Sequence, residues 1–183
     1  MTAGRTVNPR STDWGTPPVY VDAARRALGG IIDLDPCSNE FSVVNATVEY
    51  RLPDKDGLRE SWDYQRIYVN PPYDADRERH TTIRDWLARC ADAHCVHHSE
   101  VVALVPVATN TKHWKLHVFG AATSVAFLYD TRLKFLVDGV PSEKGAPMAC
   151  AMVYWGVDAA RFRGVFSTFG AVVDLRSVAG RAP

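Results

Sequence analysis

No β-ladder can continue past Val69 in this chain. Ile67-Tyr68-Val69 is an apolar, β-forming run, and Asn70-Pro71-Pro72-Tyr73 follows it at once. Successive prolines fix φ near about −65° and remove two backbone donors, and the first also holds Asn70 extended. The run is therefore expected to be a strand that stops in a rigid loop rich in carbonyl acceptors. Asn70 adds a side-chain carbonyl, and Tyr73 adds a flat apolar face. Such a loop suits a planar amine, gripped by two acceptors and stacked on a ring. An ordinary Asn-Pro turn after a strand is equally compatible with the tetrapeptide alone.

The rest of the chain alternates strand and helix patterns. Thr16 reads as a helix N-cap with Pro17 at the first helical position. Val21, Ala24 and Leu28 continue a helical stripe that Gly29-Gly30 stops. Ile31-Ile32-Asp33-Leu34-Asp35 suits a short buried strand, 39–50 fits either helix or strand, and 53–63 reads as loop. Residues 80–98 are helical in pattern, with Ile83, Trp86, Leu87 and Cys90 on one face. Val101 to Val105 forms a buried-type strand, and 111–119 a short helix. Strands are expected at 124–129, 133–137 and 149–155, the last two joined as a hairpin through the Gly/Pro/Ser-rich stretch 138–147. A helix over 158–169 and a strand over 172–175 complete the order. The expected fold is an α/β sandwich around a mostly parallel sheet with a late antiparallel hairpin.

A chain of 183 residues suits one domain that buries about 70% of its unfolded surface. A flexible arm is expected at 1–12, the folded domain at 13–177 and a tail at 178–183. No apolar run approaches the ~20 residues a membrane span needs. The four cysteines show no disulfide-framework spacing, so a reducing cytoplasm is the expected location. Cys90, His94 and His97 share a helical face, but without a Cys-x-x-Cys partner they read as ordinary helix residues, and no metal is expected. Net charge is zero but uneven: residues 1–100 carry 12 Lys/Arg against 16 Asp/Glu, and 101–183 carry 9 against 5. A uniformly basic nucleic-acid binder is excluded, whereas a basic face built by the second half is not.

Ligands of open α/β sheets bind at the carboxyl ends of strands, and both Asp35 and Asn70 fall at expected strand ends. The segment after Asp35 has no Gly-x-Gly phosphate loop, which argues against a polyphosphate ligand. A carboxylate there suits a cationic group or ribose hydroxyls. Thr16-Pro17-Pro18, Asp33-Leu34-Asp35-Pro36 and Asn70-Pro71-Pro72-Tyr73, in that order, resemble the motifs of S-adenosylmethionine-dependent amino-methyltransferases. The chain is most similar to the phage-type DNA N6-adenine methyltransferases (Dam-like). Asp13 to Pro17, Asp56-Gly57-Leu58, Trp62, Arg132-Leu133-Lys134-Phe135 and Gly145-Ala146-Pro147 add to the likeness, which runs from about residue 13 to 156.

This resemblance implies a single-domain Rossmann-like methyltransferase fold with S-adenosyl-L-methionine as cofactor and double-stranded DNA as substrate. Thr16 and Pro17 would stand beside the methionine end of the cofactor. Asp35, Pro36 and Cys37, with Asp33 beside them, would form its floor. Asp56, with Asp54 as competitor, would lie near its adenine. Asn70, Pro71, Pro72 and Tyr73 would hold the target base. Only 34 residues separate Asp35 from Asn70, so the intervening strands must be short, and Glu40 and Glu49 are weak candidates for a ribose acid. Lys112, His113, Lys115, Arg132, Lys134 and Lys144 are expected in or beside loops of the basic second half, where they would meet phosphates. Two other readings stay open: a different planar amine (glutamine, cytosine or guanine) as acceptor, or a non-catalytic DNA-binding protein that keeps the fold.

Overall fold

The computed structural model describes residues 14–129 and 132–177. The expected arm at 1–12 and tail at 178–183 lie outside the described residues. A seven-stranded sheet runs through the middle, built from β1 (Leu34–Asp35), β2 (Val48–Glu49), β3 (Arg66–Val69), β4 (Glu100–Pro106), β5 (Ser124–Leu128), β8 (Cys150–Trp155) and β9 (Gly170–Asp174). Its order is β2-β1-β3-β4-β8-β5-β9, and a separate two-stranded ribbon joins β6 (Leu136–Val137) to β7 (Val140–Pro141). The β1–β2, β1–β3 and β3–β4 pairs are parallel. β8 is antiparallel to both β4 and β5, so β5 runs with the first four. The result is a mixed α/β fold with a mostly parallel sheet and antiparallel strands toward one side.

Helices cover both faces. α1 (Pro18–Ala27) and α3 (Ala159–Phe166) pack on one face against Tyr68, Val102, Leu104, Ala126, Met152 and Tyr154. α2 (Ile83–His97) and a π-helix at Trp114–Phe119 cover the other, over Ile67, Val69, Val101, Ala103, Val105 and Val153. Successive strand residues alternate between these two cores, as the pleat requires. β4 and β8, with helices above and below, are apolar at nearly every position rather than every second one.

Two expectations are corrected. The first helix starts at Pro18, with Pro17 at the cap and no side-chain capping bond. The Thr16 hydroxyl instead shares a 2.6 Å hydrogen bond with the Tyr68 hydroxyl in the buried interior. The expected hairpin between 133–137 and 149–155 does not form. β8 is buried at all six positions, so it needs a strand on each side and takes them from β4 and β5. Residues 133–137 leave the sheet, and Leu136 pairs with Gly15 through two 2.8 Å backbone bonds. This segment becomes a strap across the carboxyl edge of the sheet. Among the described residues, no helix is long and apolar enough to cross a membrane.

Candidate active site

Chain progress through the sheet reverses between β1 and β3: β2 lies on one side of β1, while β3 and β4 lie on the other. A crevice opens at the carboxyl ends of strands at such a reversal. Asp35 ends β1 and Asn70 follows β3, and the two meet there. A narrow pocket of about 20 Å³ is lined by Trp14, Gly15, Thr16, Asp35, Cys37, Ser42, Val44 and Asn70, among others. Through Cys37, Ser38 and Asn39 it adjoins a broad groove of about 880 Å³ walled by Arg51, Asp54, Gly57, Pro72, Asp76 and Arg79. The groove has the size of a small-molecule site. The pocket holds about one water.

Asp35 is 3% exposed and accepts a 3.1 Å bond from the Cys37 backbone N–H. Burial raises its carboxyl to about 7; the Cys37 N–H lowers it, and Glu49 on the adjoining strand adds a further upward push. An acid so placed is only half ionised near neutrality and gains its charge fully when a cation enters the pocket. Burial and the Asp35 charge push the Cys37 thiol well up, while the backbone N–H of Asn70 opposes them. Cys37 thus joins the two strand ends.

Asn70 has a fixed amide. Its Nδ2 donates to the Trp14 carbonyl at 2.6 Å, and its Oδ1 lies 3.2 Å from the Tyr73 hydroxyl. That hydroxyl is also 3.2 Å from the Leu104 carbonyl, and burial pushes its pKa well up. With a single proton, Tyr73 can donate to one of the two acceptors at a time. Its ring meets Trp14 and Phe135 edge-on at 6.4 and 5.8 Å, and Trp14 stacks on Phe135 at 5.1 Å. Tyr73 therefore turns its hydroxyl inward. Its half-buried ring joins Trp14 and Phe135 in one aromatic cluster.

Other expected residues fall elsewhere. Asp33 lines neither cavity: its carboxylate holds Arg66 through Nε at 2.9 Å and Nη2 at 3.2 Å, at the start of β3. Asp56 caps its own turn by accepting the Leu58 N–H at 3.1 Å and pairs with Arg59 at 3.4 Å, while Asp54 lines the groove. Glu49, only a weak candidate from sequence, sits at the end of β2 in register with Asp35 and accepts the Ser38 hydroxyl at 2.9 Å. A two-residue strand has too little periodicity to be seen beforehand. Trp14 reaches the site through its main chain, which no side-chain pattern reveals.

Lys112 is exposed on the helical turn that follows β4, and Arg132 and Lys134 are exposed in the segment that follows β5, on the same edge as Asn70. Arg84, at the start of α2, stands close enough to His113 to lower its pKa; burial is the larger cause. His113 is therefore mostly neutral near pH 7. In the α2 segment, Cys90 is core, and His94 Nδ1 lies 2.8 Å from the Ser99 carbonyl.

A protein-family model described as DNA N-6-adenine-methyltransferase (Dam) matches residues 4–175. The match extends into the segment expected to be a free arm. Neither the curated proteins nor the solved structures yield a match. Spanning nearly the whole chain, the family match shows that the protein belongs to the Dam family of DNA N6-adenine methyltransferases.

Proposed function

We propose that the protein transfers a methyl group from S-adenosyl-L-methionine to the N6 amine of adenine in double-stranded DNA, on a Rossmann-like methyltransferase fold. One observation carries the reading beyond family membership: Asp35 and Asn70 line the same pocket at adjoining strand ends. The pocket suits the cofactor's amino-acid end, because a buried, half-ionised carboxylate faces it and gains from a cation. The broad groove suits the adenosyl end, with Glu49 at the next strand end for a diol. When bound, the cofactor supplies an electrophilic methyl on a sulfonium centre, which an amine can attack directly.

An adenine N6 amine is a weak nucleophile because its lone pair is delocalised into the ring. The Asn70 Oδ1 and the Pro71 carbonyl accept its two N–H bonds and draw the nitrogen toward tetrahedral geometry. The Trp14 carbonyl holds the Asn70 amide so that oxygen, not nitrogen, faces the amine. The Tyr73 hydroxyl turns its proton to Leu104 and releases that oxygen. Alignment of this kind is worth up to about 7–11 kcal/mol. No strong base is needed, since the proton leaves after the methyl arrives. The base must leave the duplex at a cost of a few kcal/mol, and stacking on Tyr73 returns roughly 1–3 kcal/mol. Lys112, Arg132 and Lys134 engage phosphates.

The test is to incubate unmethylated duplex with labelled cofactor and resolve the nucleosides by mass spectrometry. N6-methyl-2′-deoxyadenosine is the expected product. A label on cytosine or on protein, or no label, rejects the reading. Asn70→Ala should lower kcat by two or more orders of magnitude and leave cofactor affinity within about threefold. Wild-type turnover in that variant removes Asn70 from the chemistry.

A further inference from the structure

We propose that Phe135 is a positioning residue for the catalytic amide, and that the strap at 133–137 sets the orientation of Asn70 through Trp14. The inference rests on the reading of Asn70 as the group that grips the amine. Asn70 Nδ2 hangs from the Trp14 carbonyl at 2.6 Å, so the aim of Oδ1 depends on where the Trp14 main chain lies. From the loop after β3, Trp14 is met only by the Asn70 amide itself and by the edge-on Tyr73 ring, among the described residues. The strap fixes its main chain: Gly15, next along, exchanges two 2.8 Å backbone bonds with Leu136, and the Trp14 indole stacks on the Phe135 ring at 5.1 Å with 20° between the planes. Phe135 also meets Tyr73 edge-on, the one other side chain in contact with Asn70 Oδ1 among the described hydrogen bonds. One buried ring thus braces both groups that define the acceptor.

The strap is itself anchored. The Ala146 N–H donates to the Leu133 carbonyl at 2.8 Å, and a Cβ on Gly145 would stand 2.1 Å from that of Arg132, so the two segments touch. Release of the Trp14 carbonyl would let the amide turn about Cβ–Cγ and offer the amine its NH₂ donor instead of the Oδ1 acceptor. Displacement of Trp14 should therefore act on turnover more than on duplex affinity.

Phe135→Leu keeps apolar bulk and removes the stacking plane. Gly15→Ala places a Cβ 3.2 Å from the Leu136 Cβ and shifts the 14–16 segment without touching the Phe135 site. Each variant is measured for kcat, KM for duplex, cofactor affinity by calorimetry and melting temperature, with wild type alongside. Each duplex is supplied once with the target adenine paired and once opposite a mismatch that leaves it unpaired. Both variants should lose at least tenfold in kcat with KM for duplex within threefold, Phe135→Leu should keep cofactor affinity within threefold, and the loss should persist on the unpaired target. Three outcomes overturn the proposal: kcat within twofold of wild type in the folded variants, a loss confined to KM, or recovery on the unpaired target, which would assign Phe135 to base extrusion. An inactive wild type would instead refute the methyl-transfer reading itself.

Discussion

Asp35 shows how a single residue trades stability for binding. Its folded-state pKa is raised from 3.8 to about 7, chiefly by burial. A raised acid binds its proton more tightly folded than unfolded, so its contribution to stability declines as pH rises from about 4 to about 7 and stays low above that. A cation in the pocket reverses the penalty. Calorimetric affinity for S-adenosylmethionine should therefore rise roughly tenfold between pH 6 and pH 8, as the ionised fraction climbs through the raised pKa. Asp35→Asn removes the buried charge, so the ligand-free protein should melt at higher temperature at pH 8. It should also bind the cofactor at least tenfold more weakly and lose most of the pH dependence. Unchanged affinity in that variant would place the cationic end of the cofactor elsewhere. Asp35 stands out in the sequence because it ends an apolar run; Asp33, two residues earlier, carries the same signal, but its carboxylate is taken up by Arg66 at the start of β3.

At the scale of elements, the cleft depends on how closely the loop after β2 approaches the end of β1. Gly57 is the contact point: a Cβ there would lie 1.8 Å from the Pro36 carbonyl oxygen. Its own carbonyl is pinned by the Trp62 indole N–H at 2.7 Å, and the Tyr50 hydroxyl holds the same loop at the Ser61 carbonyl, 2.8 Å away. Gly57→Ala should cost about 1–3 kcal/mol by overpacking and weaken cofactor binding, because Pro36 and Asp35 must shift. Gly30→Ala makes a control. There φ is 104° with open space around the Cβ position, so the cost is backbone strain alone, and melting temperature should fall with cofactor affinity intact. If both variants bind alike, the loop does not shape the site. Elements with several turns or several alternations were legible from sequence: α1 through Val21, Ala24 and Leu28, α2 through Trp86, Leu87 and Cys90, and β4 through its valines. β2 was not, since two residues carry no period. The strap mimicked a strand because Leu133 and Phe135 are buried while Arg132 and Lys134 are exposed, a period of two that a segment draped over the site also satisfies.

Across the whole molecule, the charge asymmetry of the sequence becomes a spatial one. The groove at the β1 and β2 ends is lined by Glu40, Asp54, Asp74, Asp76, Glu78 and Asp138 against Arg51, Lys55, Arg77 and Arg79. Lys112, Arg132 and Lys134 are exposed beyond β4 and β5, farther along the same edge, because β5 runs parallel to β4 through the inserted β8. Counting residues along the chain detected the imbalance but not its layout, which depends on a strand order that puts β8 between two earlier strands. A polyanion is repelled from the acid-rich half and attracted to the other, so the duplex should lie along the β4–β5 side with Asn70 at its margin. Each phosphate contact contributes about 0.9 to the slope of log affinity against log salt. Replacing Lys112, Arg132 and Lys134 together by Glu should therefore weaken duplex binding at low salt and reduce that slope by roughly 3, while cofactor affinity stays unchanged. Reversing Arg77 and Lys55 in the groove should leave the slope alone. An equal effect from both sets, in titrations from 50 to 300 mM salt, would mean that the duplex straddles the cofactor groove and that the charge layout does not steer it.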